Sequence, residues 1–120
     1  MTNRELNLLL SDNFHNLKET YDNEFKYWSE DGKEPSSHTI YENVLNPYLI
    51  ECIEANNQNE LVRIFAFVEE ILETGDEYAE NVMSVTVIES VVHLLKKKQK
   101  NRKMLGKKSR AIYEELKKWF

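Results

Sequence analysis

The sequence predicts an all-α fold, a single-domain bundle or irregular superhelix of five to six helices. Apolar residues recur every three to four positions along most of the chain, which places them on one face of successive helices. The 120 residues include only three glycines and two prolines, fewer than a sandwich or barrel with many tight turns usually needs. A hydrophobic content of 41% and a charged content of 31% are typical of a folded globular protein.

The first helix is predicted to begin at a capping box formed by Thr2 and Glu5. Apolar residues follow at helical spacing over residues 6–28 and predict a helix over about residues 3–30. The alternative is two helices separated at residues 11–13 (SDN), because the side chains of these residues compete for backbone hydrogen bonds.

Residues 29–37, which include a glycine and a proline, predict a loop. A helix is expected from about Ser37. Pro47 interrupts its apolar stripe and predicts a kink or short break, with Asn46 as the cap of the helix that resumes. Residues 55–59 (ANNQN) predict the next loop.

The central feature of the prediction is a helical hairpin over residues 60–95. Asn57 or Asn59 can cap its first helix. Gly75 follows that helix at the position that often takes a positive φ angle. Asp76 is expected to cap the second helix.

The second helix of the hairpin is apolar almost all round over residues 82–95, which predicts a central position. The β-branched run at residues 85–88 offers a strand as the alternative. The length of the apolar segment favours a helix, since strands usually run 4–8 residues.

Glu89 and His93 lie four apart on this helix and can touch. They form either a polar pocket that a partner engages, or an internal hydrogen bond or pair at the rim of the core.

Residues 96–108 predict a basic connector, followed by a last helix capped by Ser109. Trp119 and Phe120 are expected to dock this tail onto the body.

Charge is unevenly distributed along the chain. Residues 1–95 hold 19 acidic and 5 basic residues, a net charge of −14, whereas residues 96–120 hold 2 and 11, a net charge of +9. This asymmetry indicates either two binding surfaces or a basic tail lying against an acidic body.

No pattern for catalysis, metal or cofactor binding is present, which predicts a protein that is not an enzyme and needs no cofactor. The three histidines form no zinc motif, and the three glycines form no phosphate loop. Cys52 lies in an apolar stripe and is expected to be a small buried hydrophobe rather than a nucleophile. A lone cysteine, no signal-peptide core and no membrane span predict a cytoplasmic protein.

Acidic side chains surround the turn of the hairpin. They form either a solvated face or a surface complementary to a basic protein. The candidate partner-binding residues are Glu69, Glu70, Glu73, Asp76, Glu77, Glu80 and, further along, Glu89. The basic segment 96–108 is the alternative site, for nucleic acid or an acidic partner. Nucleic acid is the less favoured ligand, because the segment lacks interleaved aromatics and the body is strongly acidic.

Residues 60–120 resemble small all-helical bacterial immunity proteins of polymorphic-toxin systems and related uncharacterised families. The resemblance lies in the hairpin sequence FVEEIL…GDEYAENVMSVTVIESV and in the ending MLGKKSRAIYEELKKWF. It implies a non-enzymatic protein that binds and neutralises a cognate toxin, often a nuclease. An acidic surface would suit a basic toxin domain. The partner is then a protein, no membrane is involved, and the oligomeric state stays open.

Overall fold

Seven helices and no strand make up the part of the chain that the computed structural model describes, residues 1–29 and 31–120. The all-α prediction is confirmed. The helices are α1 (Asn3–Asn13), α2 (Lys18–Trp28), α3 (residues 37–54), α4 (Gln58–Glu73), α5 (residues 77–97), α6 (Gln99–Arg102) and α7 (Lys107–Leu116). The helix that the sequence did not predict is α6, which lies within the basic connector.

One hydrophobic core joins residues from α1 through α7. The hairpin of α4 and α5 supplies a large share of it, with Ile64, Val68 and Val91 completely buried. Helix α4 packs against α3 on one side and α7 on the other, and α5 crosses α3. The hairpin is therefore the centre of the fold, as predicted from residues 60–95.

The break between α1 and α2 is confirmed, and so is the capping box that begins α1. Helix α1 ends at Asn13, whose side-chain amide donates to the carbonyl of Leu9 at 2.8 Å. Phe14 leaves the helical conformation, with φ −129° and ψ 75°, and its ring is buried in the core. A turn of 3₁₀ helix at His15–Leu17 leads into α2. The predicted loop over residues 29–37 is present apart from residue 30, which lies outside the described part.

Of the kink or short break predicted at Pro47, the break was wrong, and so was Asn46 as a cap. Helix α3 runs through this proline, and Asn46 has helical angles (φ −58°, ψ −46°) rather than the extended angles of a cap. The preceding residues, Tyr41–Leu45, widen into a π turn, and the N–H of Asn46 donates to the carbonyl of Tyr41. A local adjustment of this kind accommodates proline, which lacks an N–H, without ending the helix.

Helix α5 also contains a π segment, Val82–Ile88, flanked by Glu77–Asn81 and Glu89–Lys97. The helix prediction for the β-branched run is therefore confirmed over the strand alternative. The π segments of α3 and α5 pack against each other. The amide of Asn46 donates to the carbonyl of Thr86 at 2.9 Å, which gives this backbone group a partner in the neighbouring helix.

The turn between α4 and α5 has the predicted geometry. Gly75 has φ +73°, and the Asp76 side chain accepts from the N–H of Ala79 at 2.8 Å. Asn57 caps α4, accepting from the N–H of Glu60 at 3.3 Å. These local signals predicted the hairpin correctly because each one acts within three residues of its partner.

Two predictions for the C-terminal tail were wrong. Gly106, not Ser109, is the cap of α7, and Ser109 is fully buried in the first turn. Trp119 and Phe120 do not dock the tail, since 79% and 54% of their surfaces are exposed. Tyr113 docks it instead, with 3% exposed. The reason is that α7 ends at Leu116, so the last aromatic pair lies beyond the helix face that meets the body.

No helix in the described ranges is both long enough and apolar enough to cross a membrane.

Candidate functional site

The acidic residues predicted around the hairpin turn divide into two groups in the structure. Glu69 and Asp76 are partly buried and hold other parts of the chain. The remaining four are exposed, namely Glu70, Glu73, Glu77 and Glu80.

Glu69 anchors the tail. One carboxylate oxygen accepts from the N–H of Lys108 at 2.9 Å, and the other accepts from the N–H and hydroxyl of Ser109 at 2.9 and 2.7 Å. Burial acts to raise the pKa of this carboxyl, but the hydrogen bonds outweigh it and lower the pKa below its ordinary value. A β-carbon on Gly106 would overlap the Glu69 carboxyl group, so a larger residue at this position would displace the side chain that makes these hydrogen bonds. Glu69 is therefore a structural residue.

Asp76 is also occupied within the fold. It caps α5 and forms an ion pair with the amino group of Met1. The hydrogen bond from this amino group is the main cause that lowers the pKa of the Asp76 carboxyl, with the N–H of Ala79 second. If Glu69 or Asp76 bound a partner, it would therefore have to give up hydrogen bonds that stabilise the fold.

The four exposed carboxylates form no ion pair with any residue that the structure describes. Two of them, Glu77 and Glu80, line a shallow depression of about 350 Å³ together with Asn81, Ser84 and Val85. The Val85 side chain is 51% exposed. We call these four carboxylates and Val85 the acidic face. Its members border more than one depression, since Glu70 lines another with Arg63 and Glu80 lines a third with Lys108. The acidic face combines exposed carboxylates that form no ion pair with one exposed apolar side chain.

The sequence did not indicate that Val85 belongs to this surface. Its neighbours along the chain suggested a core position, because residues 82–95 read as apolar all round. The π segment changes the direction in which successive side chains point, and regular helical spacing does not reveal that change.

Of the arrangements considered for Glu89 and His93, the pair at the rim of the core fits the structure best. Glu89 is half-buried and His93 is exposed, and no hydrogen bond or ion pair joins them in the described structure. They lie at the rim of the core, one of the arrangements expected. Glu89 follows Glu80 by nine residues, roughly 13 Å along a helix, but it follows Val85 by only four, about one turn.

The basic tail folds back on the acidic body, where the charge of Lys108 adds to the hydrogen bonds that lower the pKa of Glu69. Helix α7 packs against α4 and α5 through Ser109 and Tyr113. Within residues 1–29 and 31–120, no ion pair joins a basic side chain of the tail to an acidic side chain of the body. The tail's own pairs are Lys117 with Glu114 and Lys118 with Glu115. The basic segment 96–108 therefore remains a second charged surface.

Cys52 is buried, with 3% of its surface exposed, as predicted for a small core residue. Burial raises the pKa of its thiol, which keeps it in the less nucleophilic protonated form.

Across the described residues, no group of three or more His, Cys, Asp or Glu side chains is placed to hold a metal ion.

A family model described as "Domain of unknown function (DUF7674)" matches residues 7–119. The chain belongs to this family. The match covers all seven helices except the first turn of α1, so the DUF7674 domain and the seven-helix fold coincide. No curated protein and no solved structure matches the chain.

Proposed function

We propose that this protein is a non-enzymatic protein-binding module, most specifically an immunity protein that binds and neutralises a cognate bacterial toxin. The observation that carries the proposal is the acidic face, four exposed carboxylates without ion pairs around the hairpin turn. The resemblance of residues 60–120 to immunity proteins supports the more specific role.

The acidic face suits a basic protein domain. Its carboxylates would attract such a partner and disfavour acidic competitors, and Val85 offers an apolar contact among them. Neutralisation would follow from covering the active site of the toxin or holding it in an inactive shape. Neither requires a catalytic group from this protein. Under this proposal, both this protein and the toxin domain that it binds are in the cytoplasm, where a lone buried cysteine stays reduced.

The test uses the gene upstream of this one. If it encodes a secreted protein with a toxin-like C-terminal domain, that domain is co-expressed with this protein. We expect a stable complex and rescue of growth. Failure of the purified proteins to associate, together with failure to rescue growth, would refute the immunity function.

Charge-reversal variants test whether the acidic face is the contact. Glu70→Lys/Glu73→Lys should weaken the complex at least tenfold, about 1.4 kcal/mol. The control is Glu51→Lys/Glu54→Lys. It makes the same charge change at the same spacing, on exposed residues at the end of α3. Both pairs lie near helix C-termini, where lysine is favourable, so neither should reduce stability. Equal weakening by both variants would remove the acidic face from the proposal.

A second candidate function is a regulatory or adaptor role, in which segment 96–108 binds nucleic acid or an acidic partner. The exposed lysines of this segment, which have no acidic partner in the described structure, favour it. Binding to nucleic acid that weakens steeply with salt, and is lost when residues 96–108 are neutralised, would support this function over the first.

A further inference from the structure

A depression of about 290 Å³ opens between α6 and α7, on the basic part of the molecule. Arg102 and Lys103 line it from the α6 side, and Arg110 lines it from α7. Gln99 and Glu114 also contribute to its wall. Three cationic side chains, separated by up to eight residues in sequence, thus converge on one concave surface.

Both guanidinium groups are held in position by backbone carbonyls. Arg102 donates from Nη1 to the carbonyls of Leu95 and Lys96, both at 2.8 Å. Arg110 donates from Nη2 to the carbonyls of Lys103 and Leu105 at 3.4 and 3.3 Å. A guanidinium has five N–H donors, so each group keeps donors for a ligand after these bonds. The two arginine side chains are therefore already ordered in the free protein, and they lose less conformational entropy when a ligand binds.

Positive charge exceeds negative charge in this depression, which has three cationic side chains and the single carboxylate of Glu114. Neither arginine nor Lys103 forms an ion pair with a carboxylate among the residues described. The carboxylate in the wall, Glu114, is already paired with Lys117. Fixed guanidinium groups in such a setting match the geometry of phosphate oxygens, which they can bind through two parallel hydrogen bonds.

We propose that this depression binds the phosphate group of a small phosphorylated molecule. Its volume lies just below the usual range for small-molecule sites, which suits only a compact ligand such as a small phosphomonoester or diphosphate. A nucleic-acid backbone presents the same chemistry. The net charge of −5 opposes a long polyanion far more than a single phosphate group, so the small ligand is favoured.

The probe is inorganic pyrophosphate, titrated into the full chain at low ionic strength and followed by calorimetry and amide NMR shifts. We expect saturable binding, with shifts centred on α6 and the start of α7. Arg110→Gln should weaken it at least tenfold. Arg110 is exposed and its bonds to the carbonyls of Lys103 and Leu105 are long, so this change should lower the melting temperature only slightly and leave the protein folded during the titration. The matched control is Lys100→Gln, which removes one exposed positive charge from α6 outside the depression and should change affinity less than twofold.

Three results would overturn the proposal: no saturable binding of pyrophosphate, equal weakening by both variants, or tighter binding of a single-stranded oligonucleotide than of pyrophosphate. The last would assign the surface to nucleic acid. The acidic-face variant Glu70→Lys/Glu73→Lys should bind pyrophosphate at least as tightly as the wild type, because it raises the net charge, so this test can fail or succeed independently of the toxin-binding proposal.

Discussion

Glu69 shows how one carboxylate can connect distant parts of a small protein. Its three hydrogen bonds reach Lys108 and Ser109, 39 and 40 residues away, and hold the first turn of α7 against α4. Gly106 leaves the space that this contact needs. The sequence alone grouped Glu69 with the acidic residues of the turn, because nothing in its neighbourhood indicates a partner so far along the chain.

This role predicts a pH-dependent stability. The pKa of Glu69 is lowered in the folded state from an ordinary value of 4.5, so its contribution is present above about pH 4.5 and lost as pH falls through the folded pKa. Glu69→Gln should lower the free energy of unfolding by about 1–2 kcal/mol at pH 7, since hydrogen bonds to a charged group are replaced in a partly exposed site.

Urea unfolding of both proteins at pH 7 and about pH 3 measures the effect. The difference between the wild type and Glu69→Gln should shrink towards zero at the lower pH. The other carboxyls with lowered pKa values, Glu5, Glu60 and Asp76, are present in both proteins and cancel. A difference of equal size at both pH values would mean that the charge of Glu69 is not what stabilises α7.

Residue-scale features that depend on near neighbours were predictable. The caps at Thr2, Asn57 and Asp76 and the positive φ of Gly75 all follow from the preferences of short segments. Serine is a common N-cap residue, and Ser109 lies near the start of α7. In the structure, however, its hydroxyl donates to the Glu69 carboxylate and does not cap the helix. Local preference could not distinguish these two uses.

At the scale of elements, the two π segments of α3 and α5 were not predictable. Apolar spacing shows that a region is helical, but it does not show whether a turn contains an additional residue. Pro47 signalled a disturbance and placed it correctly to within a few residues. The form of the disturbance, a widened turn rather than a break, depends on the contact with α5.

The bond between Asn46 and Thr86 should stabilise the crossing of these helices. Asn46→Ala removes this bond at a residue that is only 5% exposed, but it also removes a buried Oδ1 that has no hydrogen-bond partner among the described residues. The net cost should be about 0.5–1.5 kcal/mol. Thermal and urea unfolding measure this cost. The control is Asn43→Ala, whose amide bonds a carbonyl four residues earlier in the same helix, at 3.0 Å. Its effect should stay within about 0.5 kcal/mol. An equal loss of stability in the two variants would show that the bond from Asn46 to Thr86 does not specifically stabilise the crossing of α3 and α5.

At the scale of the whole molecule, one core extends from α1 to α7, and the basic tail is part of it. The charge asymmetry was evident from the sequence. Whether the tail packs on the body was not evident, because the tail has aromatic residues at 113, 119 and 120 and the sequence does not show which of them faces the body. The choice depends on where α7 ends, and helix ends are weakly determined by propensity.

The tail should therefore depend on Tyr113 and not on Trp119. Tyr113→Ala removes a ring that is 3% exposed and should cost about 3–5 kcal/mol. Trp119→Ala removes a ring that is 79% exposed and should change stability by no more than about 0.5 kcal/mol. Chemical unfolding of the two variants gives the comparison. A large loss in the Trp119 variant would show that the end of the chain docks after all.

The two π segments also determine where this fold tolerates a change in length. A π turn contains one residue more than the α turn it replaces, and the flanking helix stays in phase across it. A chain shorter by one residue within Tyr41–Leu45 or Val82–Ile88 can therefore close into regular α-helix and keep its core positions. The same deletion within Glu89–Lys97 would rotate the rest of α5 by about 100° and expose its buried side chains.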